Sequence, residues 1–393
     1  MPRPRSARRR TPRSRGAAAR CEARRALALA LRSQEWDLHF RAAQTLREGT
    51  IMFTNASTKD PVLAFGAAAL GAALWLQAGV ASAVPPCPTW FPDFRCDRHG
   101  RYDGFVPPMM HPYLFEDPFI TTGINVVGIW HEHPDDSILQ GGRNAPDELT
   151  EQGNLWIAAI QARVAITDRL QFIATKDGWV DFSPGLSLID EDEGFTDITA
   201  GFKYAVIDDR ENDFILSPSL RYQIDIGDHG VRQGNGDGVF IPDISVGWGL
   251  DAFHVLADFG GQFPIDTDAQ STALFYHLHL DYAVHQYFVP FFEVGGFQYL
   301  DGGDGSTRAK LKGGGHIEFG AAQALFGTDP EEGYDYANLG SRGVAGEHVA
   351  AWAAGVRVPV TRHLILGAAY ERPLTDNRDV LEQRVSAHVT LEF

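Results

Sequence analysis

From about residue 119 to its end the chain alternates apolar and polar positions with a period of two, the spacing of a β-strand with two different faces. In 155–166, Trp156, Ala158, Ile160, Ala162, Val164 and Ile166 form one row, and Gln161 and Arg163 fall on the other. In 195–207, Ile198, Phe202, Tyr204 and Val206 oppose Asp197, Thr199 and Lys203. The pattern returns in 214–226, 253–265 and 272–284, where Leu274, Tyr276, Leu278, Leu280, Tyr282 and Val284 oppose His277, His279 and Asp281. Twelve strands are predicted, near 119–131, 153–166, 170–182, 194–207, 213–226, 239–250, 253–265, 271–284, 287–300, 347–360, 363–373 and 382–393. An even count puts both chain ends on one side.

A soluble sandwich also alternates. Three further features select a membrane barrel. The strands run well beyond the usual 5–6 residues, and a tilted membrane strand needs about 9–11. Short polar turns (Thr167-Asp168-Arg169, Asp208 to Asn212, around Asp251, His285-Gln286, Thr361-Arg362) alternate with long Gly/Asp-rich loops at 132–152, 183–193, 227–238 and 301–346. That asymmetry between two rims is the membrane-barrel pattern, with long loops outside. The chain also stops inside its last strand, where Val389, Leu391 and Phe393 form an outward row that resembles the terminal assembly signal of bacterial outer-membrane proteins. The expected fold is all-β, a transmembrane antiparallel up-and-down barrel of about twelve strands. A run at Lys310 to Ala324 would make fourteen if it added a pair. Trp248, Phe253, Tyr282, Tyr287 and Phe288 at strand ends read as an interface girdle, or as ordinary β-formers.

Upstream the pattern changes. Residues 84–118 are too rich in proline for strands and are expected to form a periplasmic segment ahead of a barrel at 119–393. The apolar run 62–80 followed by Ala81-Ser82-Ala83 reads as the end of a signal peptide at 52–83, with Met52 as a start. The same run is long enough for a retained membrane anchor. Residues 1–51 are Arg- and Pro-rich, cannot bury a core, and read as an extension that is not translated.

Charge follows the same division. Residues 1–51 hold 13 Arg against 4 acids, about +9, and 52–83 are neutral, so of the net −17 the remaining 84–393 carry −26. An acidic body argues against nucleic acid as a partner. Cys87 and Cys96, nine apart in an exported chain, read as a local disulfide, with a zinc site as the alternative.

A charge facing lipid costs a few kcal/mol, so the polar row must face inward. Arg163, Lys203, Arg221, Asp225, Asp258, His277, His279, Asp281, Glu293, Arg357 and Glu371 are the resulting lumen candidates, either setting solute selectivity or pairing across a closed lumen. His277, His279 and Asp281 have a spacing that could ligate a metal, as does His131-Glu132-His133. Both read better as lumen polars, and no metal or cofactor is expected. Gly234 to Gly238 and Asp301 to Gly305 lack the acidic residue that closes a calcium loop and read as turns, with weak surface calcium as the alternative. A lipid-face hydrolase would need Ser beside His outside the barrel. The alternation turns His254, His277 and His279 inward, so no enzyme is expected.

Phe115-Glu116-Asp117-Pro118, Thr167-Asp168-Arg169-Leu170, Ile173-Ala174-Thr175-Lys176-Asp177-Gly178, Gly234-Asn235-Gly236-Asp237-Gly238 and Ala369-Tyr370-Glu371-Arg372-Pro373-Leu374 resemble a largely uncharacterised family of outer-membrane barrels. That family is porin-like and similar in style to the proteins of the meta-pathway of phenol degradation. The resemblance spans about 115–393 and implies passive transport or a surface role without catalytic residues. The expectation is therefore a porin-like channel for small solutes, with loop 301–346 as constriction or lid. The alternative is a structural or adhesive barrel with a closed lumen and cation- or partner-binding loops. Outer-membrane lipid, the barrel assembly machinery and small solutes are the expected partners.

Overall fold

The computed structural model describes residues 102, 104–135, 137, 153–326, 331–361 and 363–393. Cys87, Cys96 and the expected signal peptide lie outside them. In chain order the strands are β1 (Gly123–Glu132), β2 (Asn154–Ala165), β3 (Leu170–Lys176), β4 (Trp179–Ser183), β5 (Asp192–Phe195), β6 (Ile198–Tyr204), β7 (Ile207–Asp209), β8 (Phe214–Ile224) and β9 (Val239–Leu250). They continue with β10 (Phe253–Pro264), β11 (Thr272–Tyr282), β12 (Val289–Asp301), β13 (Arg308–Lys310), β14 (His316–Glu318), β15 (His348–Thr361), β16 (Leu364–Pro373) and β17 (Gln383–Glu392). β3 and β4 both pair with β2, and β5, β6 and β7 succeed one another against β4, β3 and β8, so each group is one interrupted stave. The result is twelve antiparallel staves. β1 pairs with β2 on one side and β17 on the other, from Gly123↔Glu392 to Glu132↔Gln383, which closes the sheet and leaves no edge.

Alternation decides which face meets what. Inward Leu155, Ile157, Ile173, Ile215, Leu256 and Phe275 are fully buried, while outward Ile160, Phe202, Leu220, Ile244 and Phe259 are about half exposed. Large side chains left bare all around a closed barrel form a belt that only lipid can cover. The aromatics expected as a girdle sit beside the short turns, with Trp248, Tyr282, Tyr287 and Phe288 exposed. Ring pairs Trp130–Trp156, Trp179–Phe195 and Trp352–Tyr370 stand toward the long-loop rim. Among the described residues no helix is long and apolar enough to cross a membrane.

Loop 302–347 adds no stave. β13 and β14 form a separate two-stranded hairpin, followed by helix α1 (Phe319–Phe326). Three glycines at 313–315 with positive φ make its turn, which is why the run resembled a strand pair.

The first strand starts later than the alternation predicts, at Gly123 instead of 119. Phe119 and Ile120 belong to a buried cluster with Tyr102, Phe105, Phe115, Ala205, Ile215 and Leu256, so the alternation there is that of a chain packed inside the barrel. The Pro-rich segment expected on the periplasmic side likewise lies, from Gly104 onward, within the lumen. Proline excludes a chain from sheet ladders but leaves its carbonyls free to accept hydrogen bonds from a wall.

The belt yields a prediction. Phe259→Arg, mid-strand and outward, is expected to lower unfolding stability in lipid by about 2–4 kcal/mol, and Trp248→Arg beside a short turn by about 1 kcal/mol or less. Urea titration of protein refolded into vesicles checks the difference; equal costs would contradict the assigned belt.

Candidate functional site

Residues 104–122 rise from the short-turn rim, reverse near mid-lumen and return to enter β1. The reversal is a turn in which the N–H groups of Leu114 and Phe115 donate to the His111 carbonyl (both 2.9 Å), and His111 takes a φ of 45° to head it. A non-glycine residue there is strained and is held by its surroundings. His111 Nδ1 shares a hydrogen bond with His277 Nε2 (2.6 Å), and its ring stands 4.4 Å from that of Tyr334.

Most main-chain groups of this plug that bond the wall do so through ionisable side chains. Arg221 donates to the Tyr113 and Leu114 carbonyls (3.0 and 2.9 Å), and Arg357 to those of Pro107 and Pro108 (2.9 and 2.6 Å). Gln161 and Gln171 donate to the Pro112 and Thr121 carbonyls. Glu293 accepts the N–H groups of Met109 and Met110 (2.9 and 2.7 Å), and Asp258 that of Glu116 (3.2 Å). Charge-assisted bonds of this kind are about twice as strong as neutral ones. The plug's own carboxylate, Glu116, is gripped from two staves. Arg163 meets it as a fork (3.2 and 3.0 Å) and Lys203 at 2.8 Å, while Lys203 also reaches the Asp117 carbonyl (2.5 Å) and carboxylate (3.3 Å).

Packing completes the seal. Phe115 stacks on His277 at 4.7 Å. Inward glycines leave room for the plug: a side chain at Gly249 would meet the Phe105 ring at 3.1 Å, and one at Gly367 the Met109 sulfur at 2.7 Å. Two cavities between plug and wall, beside Gln161 and His388 and beside Lys176 and Asp335, measure about 20 and 10 Å³. Each has room for about one water.

From the other rim residues 331–341 fold inward, the direction sequence left open for loop 301–346. Tyr334 donates to Glu371 (2.8 Å) and Asp335 pairs with Arg384 (2.5 Å). Asp379 accepts the N–H groups of Glu332, Gly333 and Tyr334 (2.9, 2.9 and 3.0 Å) and the Tyr299 hydroxyl (2.9 Å). Plug and loop meet where the His111 and Tyr334 rings pack on each other and on Phe297 of β12, so the described residues fill the lumen from both ends.

The structure turns all eleven expected lumen residues inward. Lys203, Arg221, Asp258, His277, His279, Asp281, Glu293, Arg357 and Glu371 are buried; Arg163 is partly buried against Glu116, and Asp225, near the rim, bonds Gln223 and the Gly238 N–H. The histidines pair instead of converging: His277 with Asp258 (2.5 Å), His279 with Glu293 and Asp281 (2.6 and 3.1 Å), His254 with Asp281 (2.6 Å). His131 and His133 both bond the Val380 carbonyl, and His131 also bonds Arg384. Leu391 packs against Leu364, and the Phe393 N–H donates to Thr122, where the plug joins β1. Sequence reasoning missed Glu116, Asp117, His111 and Arg384. The first three belong to a stretch without recognised strand periodicity, although Glu116 and Asp117 stood in the motif that carried the family resemblance.

No family model matches the chain, and no curated relative does. Among solved structures it is similar to an outer membrane channel from Pseudomonas putida F1, at 15% identity over 74% of this chain and 100% of that one, with a TM-score of 0.47. It is also similar to the NanC porin (7% identity, 69% and 98%, TM-score 0.39) and to the KdgM porin in complex with disordered oligogalacturonate (8%, 68% and 99%, 0.35). At these values nothing about cargo passes to this chain. The closed wall, polar within and apolar without, decides the class. It is a transmembrane β-barrel of the outer-membrane kind.

Two predictions concern how this barrel is filled. Arg221→Ala strips two plug carbonyls and buried Asp243 (2.5 Å) of their partner, and breaking such a buried pair costs roughly 3–5 kcal/mol. The plug should become cleavable by added protease at concentrations that leave the wild type intact, with a lower thermal midpoint. The second is a pH effect in the loop. Glu332 accepts from Ser271 (2.6 Å), Ser341 (2.5 Å) and Gly340 (3.1 Å), and burial, with Asp379 nearby, pushes it up to about 8. Burial raises Asp379 too. A carboxyl raised by docking supports it fully below its ordinary value and loses that support as pH rises through about 8. Hydrogen-exchange protection of Gly340 and Ser341, corrected for intrinsic rates, should therefore fall from about pH 5 to about pH 9. Glu332→Gln should flatten the profile.

Proposed function

We propose that the protein is a gated channel for passive movement of small solutes, closed at rest by residues 104–122. The observation that carries this reading is the way the plug is held. Its carbonyls and N–H groups meet Arg221, Arg357, Gln161, Gln171, Glu293 and Asp258 on the wall, groups that water or a polar solute satisfies equally well. The plug starts and ends at the short-turn rim, so it can move toward that side without breaking a ladder of the barrel. Many wall ions also pair with one another, Arg221 with Asp243, His277 with Asp258 and His279 with Glu293, so the wall keeps its shape when the plug shifts. The reading is non-catalytic: polar groups position and release the plug and line the path of the solute.

The test is single-channel conductance of the refolded chain in a planar bilayer. Phe115→Ala removes the ring stacked on His277; a buried Phe→Ala change costs about 3–5 kcal/mol, and a bias of about 3 kcal/mol toward undocking is roughly a hundredfold in the open-to-closed ratio. The wild type should open rarely and the variant often, with steps of the same size. Silence from both, in protein that shows heat-modifiable gel migration, would overturn the channel and favour a closed structural barrel.

A further inference from the structure

The inward charges of the wall are sorted by sector. Arg163, Lys176, Lys203 and Arg221 lie on the successive staves of β2, β3, β6 and β8. Asp243, Asp258, Asp281 and Glu293 lie on the next four, β9 to β12, and no Lys or Arg occurs in the sequence between Arg232 and Arg308. The acidic sector is largely self-contained, since His254, His277 and His279 bond its carboxylates. In the basic sector Arg221 pairs with Asp243 and Lys176 lies near Asp197 and Gln223. Arg163 and Lys203 differ. The ion-pair partners the structure gives them are Glu116 and Asp117, both on the plug. Glu116 is 1% exposed, held by a two-point guanidinium fork and an ammonium from different staves.

That is the geometry of a built carboxylate receptor, occupied by the chain itself. A planar fork matched to a carboxylate, plus a point charge on the same oxygen, gives both strength and orientation. Two cations buried side by side without an anion would be costly, so whenever the plug withdraws this cradle demands a replacement. We infer that Arg163 and Lys203 form a binding site for the carboxylate of a small anionic solute, for which Glu116 substitutes in the closed state. The inference rests on the gated-channel reading and adds the solute class: small organic carboxylates compete with the plug for the cradle and so favour the open barrel.

The experiment uses the full chain refolded in detergent, with succinate as probe and glycerol as the neutral control, followed by calorimetric titration. Glu116→Ala leaves Arg163 without its internal partner and Lys203 with Asp117 alone, and Glu116→Gln keeps the side-chain shape while removing the charge, in case the first variant folds poorly. A site masked by an internal ligand binds weakly by the fraction of time it is masked. Succinate should therefore bind either variant about tenfold or more tightly than the wild type, and glycerol should show no gain. Adding Arg163→Met to Glu116→Gln should abolish the increase, whereas Arg163→Lys should restore part of it. A folded Glu116→Gln protein that binds succinate no better than the wild type overturns the inference, even if its conductance rises. A gain in binding without conductance in any variant supports the site and overturns the channel.

Discussion

The closed state depends on a peptide segment being held by charged side chains through its main chain. A plug in an apolar lumen would need its own secondary structure to satisfy its carbonyls and N–H groups. Residues 104–122 have little, because Pro107, Pro108, Pro112 and Pro118 break any ladder. The wall supplies what the segment lacks: Arg221 and Arg357 take carbonyls in pairs, and Glu293 takes two successive N–H groups. Inward polarity, required of a barrel that must face lipid outside, thus becomes the means of closing it. The aromatic cluster of Tyr102, Phe105, Phe115 and Phe119 adds burial, each ring worth about 1.5–3 kcal/mol. Burial alone has no direction; the charged contacts set the register.

The second closure, from the opposite rim, obeys the same rule with a different anchor. Asp379 gathers three consecutive N–H groups of the inward loop, and Arg384 takes Asp335 while lying over the Tyr334 ring at 5.1 Å. His111 touches both systems through Tyr334 and His277. The plug and the loop are thereby in direct contact, so on the gated-channel reading a shift of one alters the packing of the other.

Much of this was legible in the sequence, and the limits are physical. Period-two alternation located the staves because lipid outside and polar groups inside impose it on every residue. Val239–Leu250 was found to the residue. Alternation reports which face a residue lies on and is silent about what fills the lumen, so Arg221 and Glu293 were placed inward without their partners. The plug left two weaker traces. One is the pair of inward glycines, Gly247 and Gly249, alternating with outward Trp248 and Leu250, where Pro118 and Phe105 pack. The other is Glu116 just before the first strand, an acidic residue with no turn role, beside Asp117, which accepts the Phe119 N–H in a turn. Phe119 misled because a packed aromatic segment mimics the start of a strand. The direction of the loop could not be read, since Asp379 and residues 332–334 approach only through the folded barrel.

Withdrawing the plug does not expose all wall charges equally. Arg221 keeps Asp243, His277 keeps Asp258, and His279 keeps Glu293 and Asp281, so those positions change little in net charge. Arg163 and Lys203 lose the carboxylates of Glu116 and Asp117 together. On the gated-channel reading, those two cations, on staves separated by that of β3, and Arg357, which loses the Pro107 and Pro108 carbonyls, are the wall charges that the plug's departure leaves to the solute. In a low-dielectric channel, an ion already paired contributes little to the field felt by a passing solute, and an unpaired one dominates it.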